Sequence, residues 1–122
     1  MCVNRRNENI RMSNCHFEGN SATRGGAVGF FRDNSEIIIS QSTFVRNIGF
    51  LRVGGIDFSL SNTDIMVTNC EFFMNYGTEV AGALRFNSDN SEITISGVLF
   101  ERNYLSSVQN GEMKLCAIFI FV

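Results

Sequence analysis

The stretch Phe17-Glu-Gly-Asn-Ser-Ala-Thr-Arg-Gly-Gly-Ala-Val-Gly-Phe30 contains the elements that decide the fold. Its first four residues form a Phe-x-x-Asn unit, which recurs at Phe44, Phe72 and Phe100 with separations of 27, 28 and 28 residues. Repeats with a period of about 20–50 residues are typical of architectures in which each unit packs only on its neighbours. The period therefore predicts a solenoid.

Each repeat carries two further elements at fixed distances from the Phe-x-x-Asn unit. An isoleucine stands ten residues before each Asn, and an apolar residue follows two positions later, which is the side-chain period of a strand. A second alternating apolar pair follows each glycine of the set Gly26, Gly54 and Gly82. The first repeat is one residue short between Asn20 and Gly26, which indicates a loop there. The leucine and asparagine spacing of leucine-rich repeats is missing, and β-branched runs with frequent turn signals exclude long helices.

This pattern predicts an all-β fold, a right-handed parallel β-helix of about four coils of 28 residues with three short strands each. Each strand would pair with its copy one coil away at about 4.8 Å, so that like side chains stack in columns. Asparagine suits both a left-handed tight turn and amide stacking, so structural roles are predicted for the asparagine columns. The predicted columns are Phe17, Phe44, Phe72 and Phe100; Asn20, Asn47, Asn75 and Asn103; Asn7, Asn34, Asn62 and Asn90; and Gly26, Gly54 and Gly82.

The repeats cover residues 1–107, and residues 108–122 are predicted to form an irregular apolar tail. The next glycine and phenylalanine of the pattern would fall where Asn110 and Lys114 stand. A solenoid needs polar caps over its end coils, and the sequence offers no obvious one at either end. The chain is therefore interpreted as an uncapped fragment, and end-to-end self-association is expected.

The stretch from Phe17 to Val28 resembles the repeat of the chlamydial polymorphic membrane proteins, a family with many copies of Gly-Gly-Ala-(Ile/Leu/Val) and Phe-x-x-Asn. The glycine element is complete in Gly25-Gly26-Ala27-Val28 and altered in Gly54-Gly55-Ile56 and Ala81-Gly82-Ala83-Leu84. The resemblance covers about residues 7–107. It implies a right-handed β-helix of the pectin-lyase-like fold that serves adhesion at a cell surface.

Composition and charge narrow the classes of partner. The net charge is −2 and no basic stripe is present, so nucleic acid is not an expected partner. The start of the chain has no apolar run, so no signal peptide is predicted. The apolar run Leu115–Val122 is much shorter than the roughly 20 residues of a membrane helix, so no membrane span is expected within the chain.

The cysteines and the single histidine give weak signals of chemistry. Cys15 and Cys70 share a phase two coils apart, about 9.6 Å, which exceeds the disulfide limit of about 7 Å and predicts buried free thiols. Cys2 and Cys116 are placed in irregular ends. His16 precedes an inward phenylalanine and is expected to point outward, without a nucleophile beside it.

The charged residues allow two interpretations each. Glu36, Asp64 and Glu92 share a phase before the first strand, where stacked carboxylates could form a weak calcium site or splay into water at a turn. The second interpretation is favoured. Asp57 and Arg85 share an outward phase and predict a surface ion pair worth under about 1 kcal/mol. No catalytic set, cofactor or metal is predicted.

These observations predict a non-enzymatic structural or binding module, a fragment of a cell-surface or secreted adhesin-like protein. Its expected partner is a host or cell-surface protein or a polysaccharide. The alternative is a fragment of a polysaccharide-active β-helix lyase or hydrolase, or a carbohydrate-binding β-helix, which would need carboxylates and basic residues converging on one groove. A decayed gene copy without a present role is a third interpretation.

Overall fold

The computed structural model describes residues 1–107, 112–115 and 117–120, and within them every regular element is a β-strand. The first coil contains β1 (Cys2–Arg5), β2 (Ile10–Ser13), β3 (His16–Glu18) and β4 (Ser21–Ala22). The second contains β5 (Val28–Arg32), β6 (Ile37–Ser40), β7 (Thr43–Val45) and β8 (Ile48–Gly49). The third contains β9 (Ile56–Leu60), β10 (Ile65–Thr68), β11 (Glu71–Phe73) and β12 (Tyr76–Gly77). The fourth contains β13 (Leu84–Phe86), β14 (Ile93–Ser96), β15 (Leu99–Glu101) and β16 (Tyr104–Ser107), and is followed by β17 (Glu112–Leu115) and β18 (Ile118–Ile120).

Strands of successive coils form four sheets. Sheet A has the order β1-β5-β9-β13-β18 and sheet B the order β2-β6-β10-β14. Sheet C has the order β3-β7-β11-β15 and sheet D the order β4-β8-β12-β16-β17. Neighbouring strands run parallel except β16 and β17, which are antiparallel. The predicted parallel β-solenoid of about four coils is confirmed.

Residues at equivalent positions of the sequence repeat pair with one another on neighbouring strands. Phe44 pairs with Phe17 on one side and with Phe72 on the other, and Phe72 pairs with Phe100. Their rings stack with centroid distances of 5.0, 4.6 and 5.2 Å along the column. A second column, Phe30, Phe58 and Phe86, stacks at 4.8 Å inside sheet A. The stacked rings and the isoleucine column of sheet B fill the interior and form the core.

Each coil also contains a fourth strand that the repeat pattern does not predict. These strands form sheet D, and three of the four in the coils are two residues long: β4, β8 and β12. Their first residues are Ser21, Ile48, Tyr76 and Tyr104, and because only the last two share a side-chain type, sequence periodicity gives little signal for these strands. The pairing therefore rests on the backbone.

Left-handed backbone conformations recur at fixed positions of each coil. The sequence suggested that the asparagines of the two columns adopt this conformation, but they do not. The residues immediately before them adopt it: Arg46 and Met74 have φ of 52° and 55° before Asn47 and Asn75. A single left-handed residue redirects the chain at a corner. The side chain that follows then points into the solenoid, where asparagine finds hydrogen-bond partners.

The predicted glycine column lies where backbones approach closely. A Cβ atom on Gly26 would lie 2.2 Å from the carbonyl oxygen of Gly54, and one on Gly54 would lie 2.5 Å from the carbonyl oxygen of Asn47. A Cβ on Gly82 would lie 2.6 Å from the amide nitrogen of Tyr104. Glycine is required at this corner because no side chain fits between the coils.

Two described strands, β17 and β18, lie within the segment 108–122, for which the sequence predicted an irregular apolar tail. β18 pairs in parallel with β13, with Ile118 opposite Leu84, a separation of 34 residues rather than 28. β17 folds back antiparallel on β16 and covers the edge of sheet D. β16 and β17 thus form the antiparallel pair of a hairpin, and β18 continues sheet A beside β13.

The hairpin bears on the expected end-to-end association. A second copy stacked in register below the fourth coil would need the edges of β13 and β16, which β18 and β17 occupy. Among the described residues, β14 and β15 remain edge strands at this end. β17 and β18 are in turn the outer strands of sheets D and A, so end-to-end association at this end stays a prediction.

Candidate functional site

The asparagine columns form continuous side-chain ladders. Nδ2 of Asn47 donates to Oδ1 of Asn75 at 2.9 Å, and Nδ2 of Asn75 donates to Oδ1 of Asn103 at 2.9 Å. The same nitrogen of Asn75 also donates to the carbonyl oxygen of Phe44 at 2.8 Å. The second column repeats the pattern from Asn7 through Asn34 and Asn62 to Asn90. These amides bond to one another and to backbone carbonyls, and so connect each coil to the next.

The described cysteines form no disulfide, and the thiols of Cys15 and Cys70 donate to backbone carbonyls. Cys70 is fully buried and Cys15 half-buried, in one column separated by Ser42. Among the described residues Cys2, Cys15 and Cys70 are free, and burial raises the pKa of the Cys70 thiol. Cys2 corrects the prediction, because it lies in β1 rather than in an irregular end. Cys116 lies outside the described residues.

His16 faces outward from sheet C, as predicted. Its Nε2 lies 3.1 Å from Oε2 of Glu18, and its Nδ1 contacts the hydroxyl of Thr43 on the next strand. Arg46 pairs with the other carboxylate oxygen of Glu18. The hydrogen bond from His16, followed by the charge of Arg46, holds the pKa of Glu18 below its usual range. This group is an ion cluster on the exposed surface of sheet C.

The acidic column Glu36, Asp64 and Glu92 lies at a left-handed corner, with φ of 51°, 50° and 53°. All three side chains are exposed. Over residues 1–107 and the short described segments after them, no group of His, Cys, Asp or Glu side chains could hold a metal ion. The corner geometry lets the carboxylates diverge into water, which is the interpretation favoured by the sequence.

The pair Asp57 and Arg85 differs from the predicted surface ion pair because it is buried. Asp57 is 1% exposed and Arg85 is 7% exposed, although both lie on the outward face of sheet A, opposite the core residues Ile56 and Phe58. Nη1 of Arg85 donates to Oδ1 of Asp57 at 2.6 Å. Oγ of Ser59 donates to the other oxygen, Oδ2, at 3.1 Å. The pair is therefore desolvated, and loss of one partner would cost more than the value of under about 1 kcal/mol that was predicted for a surface ion pair.

Two further arginines join this pair from the loops between sheets D and A. Nη1 of Arg52 lies 3.7 Å from Oδ2 of Asp57, and its side chain is 29% exposed. Burial and the positive charges of Arg85 and Arg24 lower the pKa of Arg52. The guanidinium of Arg24 lies over the ring of Phe31, 4.8 Å from its centroid. We call Arg24, Arg52, Asp57, Ser59 and Arg85 the arginine face.

The arginine face has one donor without a partner. Nε of Arg85 is buried and forms no hydrogen bond. A buried donor without a partner typically costs about 1–3 kcal/mol. Three guanidinium groups share this face with one carboxylate at its centre, and Glu79 contributes negative charge nearby. The local charge balance is positive on a chain whose net charge is −2.

An open groove lies beside the arginine face, one coil above Asp57. Its volume is about 350 Å³, and we name it the Gly29 groove. Gly29 pairs with Asp57 on one side and with Cys2 on the other, so the groove occupies the same outward column as the ion pair. The residues that line it include Cys2, Ala22, Thr23, Arg24, Gly29 and Phe31.

Asp57 and Arg85 were predicted to pair from their shared phase, whereas Arg24, Arg52, Gly29 and Phe31 were not predicted as site residues. The one-residue deficit after Asn20 hides the fact that Arg24 and Arg52 both stand two residues before a column glycine. Counting backwards from Gly26 and Gly54 would have found the pair. Gly29 could also have been recognised as a candidate site residue, because it is a glycine between two inward-facing residues of a predicted strand.

Fold and site define this chain as a parallel β-solenoid repeat protein with a charged, grooved outward face on one sheet. In comparisons with known proteins, no family model, curated protein or solved structure matches the chain significantly. No helix long and apolar enough to cross a membrane occurs in the part of the chain that the structure describes.

Proposed function

We propose that the chain is a non-enzymatic binding module, part of a longer cell-surface or secreted protein of the adhesin type. The resemblance to polymorphic membrane protein repeats, with their right-handed pectin-lyase-like helix, belongs to this proposal. Its parent would contact a host or cell-surface protein or a polysaccharide. The ligand-binding surface is the arginine face together with the Gly29 groove.

The observation that supports this proposal is the division of polar residues between scaffold and surface. The asparagine amides bond to one another and to backbone carbonyls, which gives a rigid support. On the arginine face, by contrast, one buried guanidinium nitrogen has no partner and a groove lies open beside it. Binding sites typically combine a concave surface with a few convergent polar groups on a rigid support.

The arrangement of Asp57 favours binding over catalysis. Its two oxygens accept hydrogen bonds from Arg85 and Ser59, and Arg52 lies near one of them. Asp57 is also only 1% exposed, so its carboxylate is poorly placed to reach a substrate proton, which a general base needs within about 3 Å.

A second candidate is the polysaccharide-active enzyme, because three arginines and a carboxylate do converge on one face. One experiment separates the two. Labelled protein is applied to arrays of glycans and of extracellular proteins, and the glycans that bind are then incubated with it while reducing ends and unsaturated products are measured. The proposal expects retention without product. Product formation that is lost in Asp57→Asn would replace the binding module with the enzyme, and no retention by any ligand would overturn both.

A further inference from the structure

Gly29 is a glycine that the fold does not require. A Cβ atom at this position would meet no atom within 4 Å, and its φ lies outside the left-handed region. The corner glycine Gly26 is different, since its Cβ would lie 2.2 Å from a backbone oxygen. The register partner Asp57 carries a full side chain on the same face. Glycine inside a strand weakens it, and often marks a place where a ligand approaches the backbone.

The missing side chain creates the floor of the groove. Gly29 and Phe31 lie two residues apart in β5 and therefore on one face of the strand. Cys2 of β1 borders them on one side, and the loop residues Thr23 and Arg24 border them on the other. The volume of about 350 Å³ lies at the small end of ligand sites, which span about 300–1,000 Å³. This space suits one small ring system.

The charged groups around the groove select an anion. Arg24 lines the groove and its residue is exposed. Arg52 and Arg85 lie on the same face, where Asp57 balances one positive charge, and the side chain of Arg85 is 8% exposed with Nε unpartnered. Mutual repulsion among the guanidiniums contributes to the lowered pKa of Arg52. An anion in the groove would gain a charge-assisted hydrogen bond from Arg24, which lines it, whereas Arg85 lies two coils from Gly29.

We infer that the Gly29 groove binds a sugar ring that carries an acidic substituent, a carboxylate or a sulfate. The C–H face of the ring packs on the backbone of Gly29 and on Phe31, and the acidic group pairs with the guanidinium of Arg24. The inference rests on the proposed function and names its ligand class. An extended acidic peptide would instead bond along the free edge of β1 and would not depend on the side chain at position 29.

The test uses the full chain, isothermal titration calorimetry and three matched oligosaccharides: an oligouronate, a sulfated oligosaccharide and a neutral glucose oligomer of the same length. We expect one or both acidic ligands to bind and the neutral one to bind at least about ten-fold more weakly, because a charge-assisted hydrogen bond is lost. Comparison of the oligouronate with the sulfated oligosaccharide shows whether the groove prefers a carboxylate or a sulfate. An acidic peptide serves as the fourth ligand.

Two variants locate the site. Gly29→Val fills the groove, and Arg24→Gln removes the charge; each should weaken binding about ten-fold or more. Because valine suits an open strand position, Gly29→Val should unfold at the same or a higher temperature, which separates a blocked groove from a damaged fold. Thr94→Val and Arg11→Gln, at outward positions of sheet B, are the matched controls and should bind as the parent does.

Failure of this inference can be distinguished from failure of the proposed function. Unchanged acidic-sugar affinity in both Gly29→Val and Arg24→Gln would overturn the inference, as would equal binding of the neutral oligomer. Preference for the acidic peptide, unaffected by Gly29→Val, would also overturn it. In each of these cases array binding to another ligand would leave the binding-module proposal standing.

Discussion

The side-chain amide of Asn47 donates to Oδ1 of Asn75 at 2.9 Å, and both residues are fully buried. The backbone N–H of Asn47 donates to the same oxygen at 3.0 Å. One coil is thereby held to the next twice through a single acceptor. Repetition of this contact turns a 28-residue sequence period into a hydrogen-bonded column.

Asn75→Ala should strongly destabilise the fold. It removes the acceptor of both Asn47 donors and the donor to the carbonyl of Phe44, and it leaves these buried groups unpaired. Each buried group without a partner costs about 1–3 kcal/mol, so we expect a loss of about 3–5 kcal/mol in the free energy of unfolding. Urea denaturation measures it. Asn4→Ala, at an exposed asparagine outside the ladders, is the control and should change stability by less than about 0.5 kcal/mol.

The buried ion pair should show non-additive energetics. Asp57→Ala leaves Arg85 without its partner in a desolvated position and should cost about 3–5 kcal/mol. Asp57→Leu combined with Arg85→Leu removes both charges and should lie within about 1 kcal/mol of the parent. A double-mutant cycle in urea gives the coupling energy. Additive effects of the single and double substitutions would contradict the buried geometry.

Two glycines of the same chain should respond in opposite ways to alanine. Gly54→Ala places a Cβ 2.5 Å from the carbonyl oxygen of Asn47 and the same distance from the amide nitrogen of Tyr76. Since backbone cannot yield as a flexible side chain does, we expect a loss of at least about 2 kcal/mol. Gly29→Ala meets open space and should be neutral or stabilising by up to about 1 kcal/mol. Thermal unfolding followed by circular dichroism tests the contrast, and equal destabilisation by both would refute it.

Thiol chemistry should reveal the burial of Cys70. Burial raises the pKa of this thiol, so its thiolate is scarce and reaches reagents slowly. In native protein the exposed Cys2 should react with Ellman's reagent much faster than Cys70, whereas all 4 cysteines should react in denaturant. Mass mapping of the labelled peptides identifies the order. Cys70 reacting as fast as Cys2 would be inconsistent with this placement.

The same thiol predicts a pH dependence. The folded pKa of Cys70 lies above its unfolded value, so the unfolded chain ionises first as pH rises. The stability contributed by the protonated thiol is therefore complete below about pH 8.5 and declines above it. Cys70→Ser, which copies Ser42 of the same column, should flatten this decline. An unchanged slope in that variant would assign the pH dependence to other groups.

The sequence predicted the columns of the core but not all of the polypeptide path. Phe44 and Ile65 pair with equivalent residues of the neighbouring coils. Such stacking repeats both the side chain and its surroundings in every coil, so the sequence period reveals it. Sheet D was not predictable from side chains, since Ser21 and Ile48 occupy equivalent positions. Its pairing depends on the backbone, which carries no sequence signal.

The candidate site was less predictable because it lies where the repeat is broken. Asp57 and Arg85 were found from their shared phase, but their burial depends on neighbouring loops that differ in length. The side chains of Arg24 and Arg52 reach this face from such loops.

The stacking of equivalent residues at the 28-residue period is tested most directly by cross-linking. Thr43 and Glu71 are outward register partners on β7 and β11. Neighbouring strands lie about 4.8 Å apart, within the Cα range of about 4.4–6.8 Å that a disulfide spans. Thr43→Cys with Glu71→Cys should oxidise readily and yield one cross-linked peptide in a non-reducing digest, whereas Thr43→Cys with Phe73→Cys should stay reduced. Oxidation of the shifted pair in preference to the matched pair would contradict the stacked register.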